Sequence, residues 1–396
     1  MFSAQTISLI KATVPALQQH GEAITKHFYD LMFREHPEVK GLFNEAHQAS
    51  GSQARALAGA VLAYAAHIDQ LEALAGALPR IIQKHVALGV QPEHYPIVGA
   101  CLLRAIQEVL GDAATDDIIA AWGEAYGALA DMLIAAEEQV YAANAAEAGG
   151  WRGARAFRVA RRVVESELIT SFYLEPVDGR PLLRFVPGQY LTLVLEVDGE
   201  PMRRNYSLSD APGKAWYRIS VKREEGGRVS NWLHAQAQAG TQVEVLAPAG
   251  DFQLDEAAND DRPLVLVTGG VGITPAMSML EAAAPSGRPI RFIHAARHGG
   301  VHAFRARVDA LAQQHANVEV LYVYDQPRPG DEPHVTGVVT QELLAQQLPA
   351  DRDVDVYFLG PKPFMQAVYR SGLALGVAQE RLKYEFFGPL EELKAA

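Results

Sequence analysis

In LPRIIQKHVALG, residues 78–89, Ile81, Ile82 and His85 fall three and four positions apart, a spacing that stacks an imidazole on the apolar face of a helix. Lys84 and Gln83 turn away from that face. Pro79 suits the first helical turn and Gly89 the C-terminal cap. A histidine so placed is a satisfied core residue or a metal ligand, and the first is the commoner case. Three further polar groups interrupt apolar stripes. Tyr29 lies one turn before Phe33, and Gln53 one turn before Leu57. Glu137 lies on the stripe of Tyr126, Leu129, Leu133 and Val140, while Glu138 does not. Tyr95 sits just beyond the His85 helix. Singly, these are core tyrosines with one wet end and a carboxylate paired with a lysine. Together they have a chemical logic. A metal-bound imidazole gains donor strength when its second nitrogen gives a proton to a carboxylate, the role open to Glu137, and a tyrosine hydroxyl can orient that carboxylate.

Two more stretches point to phosphates and flat rings. In RRNYSLSD, Arg204, Tyr206 and Ser207 offer a cation, an aromatic plate and a hydroxyl at one strand end. VKREEGGRVSNWLH then leads a glycine pair into a helix beginning near Val229 and Ser230, whose free N–H groups suit a pyrophosphate. An ordinary strand and an ordinary capped helix would look the same. In GGVGITP, after the strand PLVLVT, Gly269, Gly270 and Gly272 let the backbone approach a dinucleotide at a helix start. The spacing departs from G-x-G-x-x-G, and lone glycine loops are often tight turns.

These groups need three kinds of scaffold. Helical periodicity runs over 3–19, 21–33, 52–68, 78–88, 93–110 and 115–141, an all-α region. AANAAEAGG reads as a linker. Six alternating stretches follow, FRVARRVV, ITSFYLEPV, GQYLTLVLEV, RRNYSLSD, AWYRISVKR and TQVEVLAP, and predict a small antiparallel barrel. Strands and helices then alternate: PLVLVTGG, a helix after Pro275, PIRFIHAA, a helix from about Val301, VEVLYVYD, a helix from Gln341, DVYFLG and a helix from Pro363. Apolar strands of this type belong to a parallel α/β sheet. Length agrees, since 396 residues exceed one ordinary core.

Composition sets limits. A net charge of −12 opposes binding to phosphate backbones. One cysteine, Cys101, excludes a disulfide framework and a four-thiolate iron–sulfur cluster, and suits a reducing cytoplasm. No window of about 18 apolar residues predicts a membrane span, and MFSAQTISLIKATVP lacks a signal-peptide core. Electron transfer here needs an organic cofactor, a haem or both.

The first region, through FYDLMF, KGLFN, QKH, EHYPIVG and AWGEAYG, closely resembles the globin domain of the flavohaemoglobins. RRNYSLSD with VKREEGG resembles the flavin barrel of the ferredoxin reductase superfamily, whose signature is Arg-x-Tyr-Ser, and GGVGITP its nicotinamide loop. The resemblance implies a multidomain chain: an all-α globin domain over 1–141, a linker over 142–150, an antiparallel β-barrel FAD-binding domain over 151–259 and an α/β parallel-sheet NAD(P)-binding domain over 260–396. It places His85 as the ligand of haem b iron with Tyr95 and Glu137 as polar partners, Tyr29, Gln53 and Leu57 over the distal face, and Phe43 against the porphyrin. Lys84 joins the catalytic set. Tyr190, Arg204, Asn205, Tyr206 and Ser207 contact FAD. Gly270, Val271, Gly272, Ile273, Thr274 and Pro275 form the nicotinamide loop, and FLGPKPFM a second one. Glu385, with Phe386, Phe387, Gly388 and Pro389, closes over the flavin.

The implied activity is nitric oxide dioxygenase: NAD(P)H reduces FAD, FAD reduces the haem iron, and its oxygen complex converts nitric oxide to nitrate. The implied partners are small molecules, O2, nitric oxide and NAD(P)H, with no obligatory protein partner. A haem-based gas sensor or carrier and an NAD(P)H-dependent flavin or ferric reductase are the alternatives. Two positions bear on the nucleotide. Leu359 stands where the family commonly has cysteine, and Arg297, after the second strand of the third region, is placed to attract a 2′-phosphate.

Overall fold

The computed structural model describes residues 2–44, 48, 51–255, 262–388 and 393. They form two compact units, one built on the chain up to Glu147 with 194–204 and Gly388, the other on the remainder.

The first unit is helical: α1 (Ala4–Ala12), α2 (Val14–Glu35), a 3-10 turn (Pro37–Leu42), α3 (Ser52–Ala66), α4 (Leu78–Leu88), α5 (His94–Leu110) and α6 (Asp116–Ala146). Its core joins Ile10, Leu17, Ile24, Phe28, Met32, Ile106 and Trp122. Two boundaries differ from the periodicity. The first helix breaks at Thr13, whose hydroxyl donates to the Ile10 carbonyl at 2.6 Å, and Pro15 in the next turn has no N–H with which to continue the ladder. Gly21 therefore lies inside α2. At the other end α6 continues past Tyr141 to Ala146, because the alanines of the expected linker are strong helix formers. The expectation that nothing is apolar enough to span a membrane also needs correction. By length and composition α6 passes that test, but alanines raise its hydropathy and one face packs Trp122, Ala125 and Glu137 inward.

Two six-stranded sheets follow in the chain. The first comprises β1 (Arg155–Val164), β2 (Ile169–Pro176), β3 (Tyr190–Val197), β4 (Glu200–Ser207), β5 (Tyr217–Lys222) and β6 (Gln242–Ala249) in the order β4-β3-β6-β1-β2-β5. An antiparallel bridge from Leu208, just after β4, to Ile219 on β5 joins its two edges, so the sheet curls into a barrel. Helix α7 (Arg228–Gln236) follows β5.

The second sheet is parallel, β10-β9-β8-β7-β11-β12, from β7 (Leu264–Gly269), β8 (Ile290–Ala296), β9 (Val318–Tyr324), β10 (Val335–Thr336), β11 (Asp355–Leu359) and β12 (Leu382–Tyr384). Its helices are α8 (Ile273–Ala283), α9 (Arg305–Gln314), α10 (Gln341–Gln347) and α11 (Lys362–Ala374). Strands β10 and β12 are too short for an alternating pattern to announce them. The helix expected from about Val301 begins at Arg305, since Phe304 before it is left-handed (φ +64°). The expected boundary at 259/260 lies outside the described residues.

Candidate functional site

Gly89 ends α4 in the left-handed conformation (φ +71°), and Val90 N–H donates to the His85 carbonyl at 3.0 Å. The helix presents His85 to α6. There Glu137, only 2% exposed, sets Oε1 2.7 Å from His85 Nδ1. The Tyr95 hydroxyl donates to the same oxygen at 2.6 Å and lies 3.2 Å from Nδ1. Burial, reinforced by the Glu137 hydrogen bond, holds the Tyr95 phenol protonated, so it remains a donor. The structure thus brings Glu137 to two residues, His85 and Tyr95, that lie far from it in sequence.

Two supports were not assigned by sequence. The Tyr126 hydroxyl donates to the Tyr95 carbonyl at 2.6 Å, and the Tyr141 hydroxyl to the Val90 carbonyl at 2.8 Å. Both lie on the Glu137 face of α6, about three turns before it and one turn after, and that spacing was the available signal.

The donor set can be tested against a metal. With Nδ1 given to Glu137, Nε2 is the ring atom left to coordinate. Among the described residues no three His, Cys, Asp or Glu side chains gather into a metal-holding group. An ion held by His85 would therefore bring its other ligands with it, and an imidazole backed by a carboxylate fits a haem iron.

Tyr29, buried on α2, directs its hydroxyl to Gln53 and Gln48. Gln48 Nε2 donates to Gln53 Oε1 at 2.9 Å, joining the two amides. Burial raises the Tyr29 pKa, against the lowering effect of the two amides, and the phenol stays protonated. Phe33 and Phe43 pack on the Tyr29 ring at 5.7 Å each, and Leu57 is half-buried against the same core. Gln48 was not expected, because no periodic element surrounds it. Lys84 leaves the imidazole network and donates to the Gly388 carbonyl at 3.1 Å.

After the helical region, Asn205 accepts a hydrogen bond from Thr192 at 2.8 Å. Ser207 is buried and Tyr206 half-buried at the end of β4. Arg204 donates to the Arg203 carbonyl at 2.7 Å. Tyr190 is buried, and burial together with the charges of Glu385 and Asp251 raises its pKa, which brings Glu385 into the same surroundings.

The loops that follow β7 and β11 meet closely. A Cβ on Gly272 would fall 2.3 Å from the Leu359 carbonyl oxygen, so only glycine allows the approach. Ile273, Thr274 and Pro275 are buried, and the Thr274 hydroxyl fastens the loop by donating to the Val271 carbonyl at 3.0 Å. Gly270 (φ +55°) is exposed and Val271 half-buried, leaving loop backbone at the start of α8 for a phosphate. Leu359 packs in the core beside Ile273 and Tyr357, and Arg297 is exposed. Phe386 meets Tyr384 edge-on at 5.7 Å, and Phe387 is exposed. Pro389 lies outside the described residues.

The chain matches three family profiles: globin over 26–133, oxidoreductase FAD-binding domain over 157–254 and oxidoreductase NAD-binding domain over 266–370. It is 58% identical to a flavohemoprotein of Pseudomonas aeruginosa across the full length of both chains. A flavohemoglobin from Malassezia yamatoensis, solved with bound FAD and heme, superposes with a TM-score of 0.86 at 29% identity, covering 98% of this chain and 99% of that one. The FAD/NAD-binding domain of nitric oxide dioxygenase from Vibrio cholerae covers 60% of this chain and all of its own, at 36% identity and a TM-score of 0.55.

Proposed function

The chain belongs to the flavohaemoglobin family, and on that premise we propose that it is a nitric oxide dioxygenase, an NAD(P)H-dependent oxidoreductase that converts nitric oxide and O2 to nitrate. Its cofactors are haem and FAD. When bound, FAD divides the electron pair of NAD(P)H into single electrons, and the haem supplies the iron at which the two gases react.

The observation that carries this reading is the Glu137 carboxylate 2.7 Å from His85 Nδ1, buried and shared with Tyr95. A carrier of oxygen needs only a neutral imidazole. An imidazole that shares its proton with a carboxylate is a stronger donor and favours oxygen activation. Tyr29 keeps its proton in a buried setting, aimed by Gln48 and Gln53, and offers it to an oxygen atom gaining negative charge. In the reductase part, the Gly270–Gly272 backbone takes the pyrophosphate and Arg204, Tyr206, Ser207 and Tyr190 take the flavin. The division into 1–141, 151–259 and 260–396, joined by 142–150, follows from these roles. The charge of −12 supports small-molecule substrates over nucleic acid, and one free, buried cysteine supports a reducing cytoplasm.

The test is an absorption spectrum of the purified protein before and after anaerobic NADH or NADPH. A Soret band with a flavin shoulder, then bleaching of the flavin and a shift to ferrous iron, is expected. Consumption of NAD(P)H that accelerates with nitric oxide and oxygen together separates turnover from a sensor or carrier. A His85→Ala protein that kept all turnover would favour a flavin or ferric reductase.

A further inference from the structure

Ser207 ends β4, and the loop that follows turns charge inward. Asp210, 3% exposed, meets Glu281 of α8, 7% exposed. Two donors serve both carboxylates. The Ala211 N–H lies 3.1 Å from Asp210 Oδ1 and 3.2 Å from Glu281 Oε2, and Lys214 Nζ donates to the same two oxygens, at 3.1 Å in the case of Glu281. Arg218 on β5 holds Nη2 3.7 Å from Glu281 Oε1 and 3.9 Å from Asp210 Oδ1. The Trp216 indole N–H donates to Asp210 at 3.1 Å, and Arg307 of α9 to Glu281 at 2.9 Å. Two buried carboxylates thus stand among three cations.

Packing alone does not call for such a cluster. Taking charges out of water is costly, and apolar side chains of similar volume fill such a space at least as stably. An apolar contact is present alongside: a Cβ on Gly188 would fall 2.7 Å from Met279 Cε, so α8 also reaches the turn just before Tyr190. A methionine is flexible and fits several registers. Buried charges that share their donors fit one, which is the best-attested use of a buried ionic group. Glu281 lies about two turns beyond Ile273, toward the far end of the helix that begins at the Gly270–Gly272 turn. The cluster therefore joins the helix behind that turn to the loop that follows Tyr206 and Ser207.

We infer that Lys214 is a positioning residue for reduction of the flavin: by bridging Asp210 and Glu281 it fixes the register of α8, and with it the nucleotide loop, against the end of β4 that offers Tyr206 and Ser207. The inference rests on the oxidoreductase function above. Arg307 makes no such bridge, because it meets Glu281 from α9 and leaves Asp210 alone.

Anaerobic stopped-flow mixing of the full-length holoprotein with increasing NADH, read at flavin wavelengths, tests it in Lys214→Met, Lys214→Arg and Arg307→Met. In K214M the limiting rate of bleaching falls about ten-fold, the change in population expected when one charge-assisted hydrogen bond is lost. The half-saturating NADH stays within about two-fold of wild type, because the loop itself is untouched. K214R, which can still donate to both carboxylates, recovers most of the rate. R307M keeps the bridge and stays within about two-fold of wild type. Hydrogen exchange over residues 208–216 and 276–283, followed in FAD-loaded protein without nucleotide, accelerates in K214M alone. A wild-type limiting rate in K214M, a change confined to half-saturation, loss of FAD from K214M, equal slowing in K214R or R307M, or unchanged exchange overturns the inference. A wild-type protein whose flavin is bleached by neither NADH nor NADPH would instead refute the underlying function, and the inference with it.

Discussion

Gly99 on α5 and Tyr126 on α6 touch so closely that a Cβ at Gly99 would fall 2.5 Å from Tyr126 Cε1. The contact lets the Tyr126 hydroxyl reach the Tyr95 carbonyl at 2.6 Å. A glycine inside a helix is otherwise a cost, so its place here is steric.

Gly99→Ala gains helix propensity but forces Tyr126 aside. Overpacking of this kind costs about 1–3 kcal/mol and outweighs the gain of at most about 1 kcal/mol. A lower urea midpoint is expected, with rescue in the double variant Gly99→Ala/Tyr126→Leu. Equal stability of Gly99→Ala and wild type would show that α5 and α6 yield freely.

Removing the Glu137 carboxylate strands two donors, the Tyr95 hydroxyl and His85 Nδ1. Each orphaned buried donor costs about 1–3 kcal/mol, so Glu137→Ala is the less stable protein. In Glu137→Gln the imidazole loses its anionic partner and becomes a weaker donor to iron, and the ferric form loses more than the ferrous. Spectroelectrochemical titration should give a higher haem potential. An unchanged potential rules out a tuning role for Glu137.

Tyr29→Phe keeps the ring packed on Phe33 and Phe43 but removes the hydroxyl. Oxygen dissociation should accelerate by about 10² or more, the scale of losing one preorganised donor. Flavin bleaching by NADH should be untouched. Flash photolysis that finds wild-type dissociation would remove Tyr29 from the distal site.

Acid sensitivity is expected well above the carboxylate range. His294 on β8 and His302 after it are buried in the second unit, with ring centroids 4.4 Å apart. Burial pushes their pKa values down to about 3 and about 2. In His302 the charges of His294 and Arg305 add to that effect. A histidine whose folded pKa lies below its unfolded value of about 6.5 stabilises the fold above that pH, and the stabilisation is lost as the pH falls. At pH 5 each costs up to about 2 kcal/mol, before most carboxylates begin to protonate. Denaturant midpoints followed from pH 7 to 5 should decline, and His294→Gln should flatten the decline. A level profile in wild type would mean that these rings are hydrated.

The chemistry of this chain was legible where spacing in sequence equals proximity in space. Helix α4 shows its apolar face, its proline start and its glycine cap within a dozen residues, and the strand entering GGVGITP announces a tight glycine turn into a helix in the same way. Glu137 could be recognised as inward-facing from its stripe, because a helix repeats its direction every 3.6 residues. Its partner could not be read, since direction within α6 says nothing of which helix lies opposite. Only tertiary packing brought Glu137 to His85 and Tyr95, set Gln48 beside Gln53 and pressed Gly272 onto Leu359. Local backbone preference decides which face a side chain takes, whereas contacts between distant segments depend on how whole faces pack.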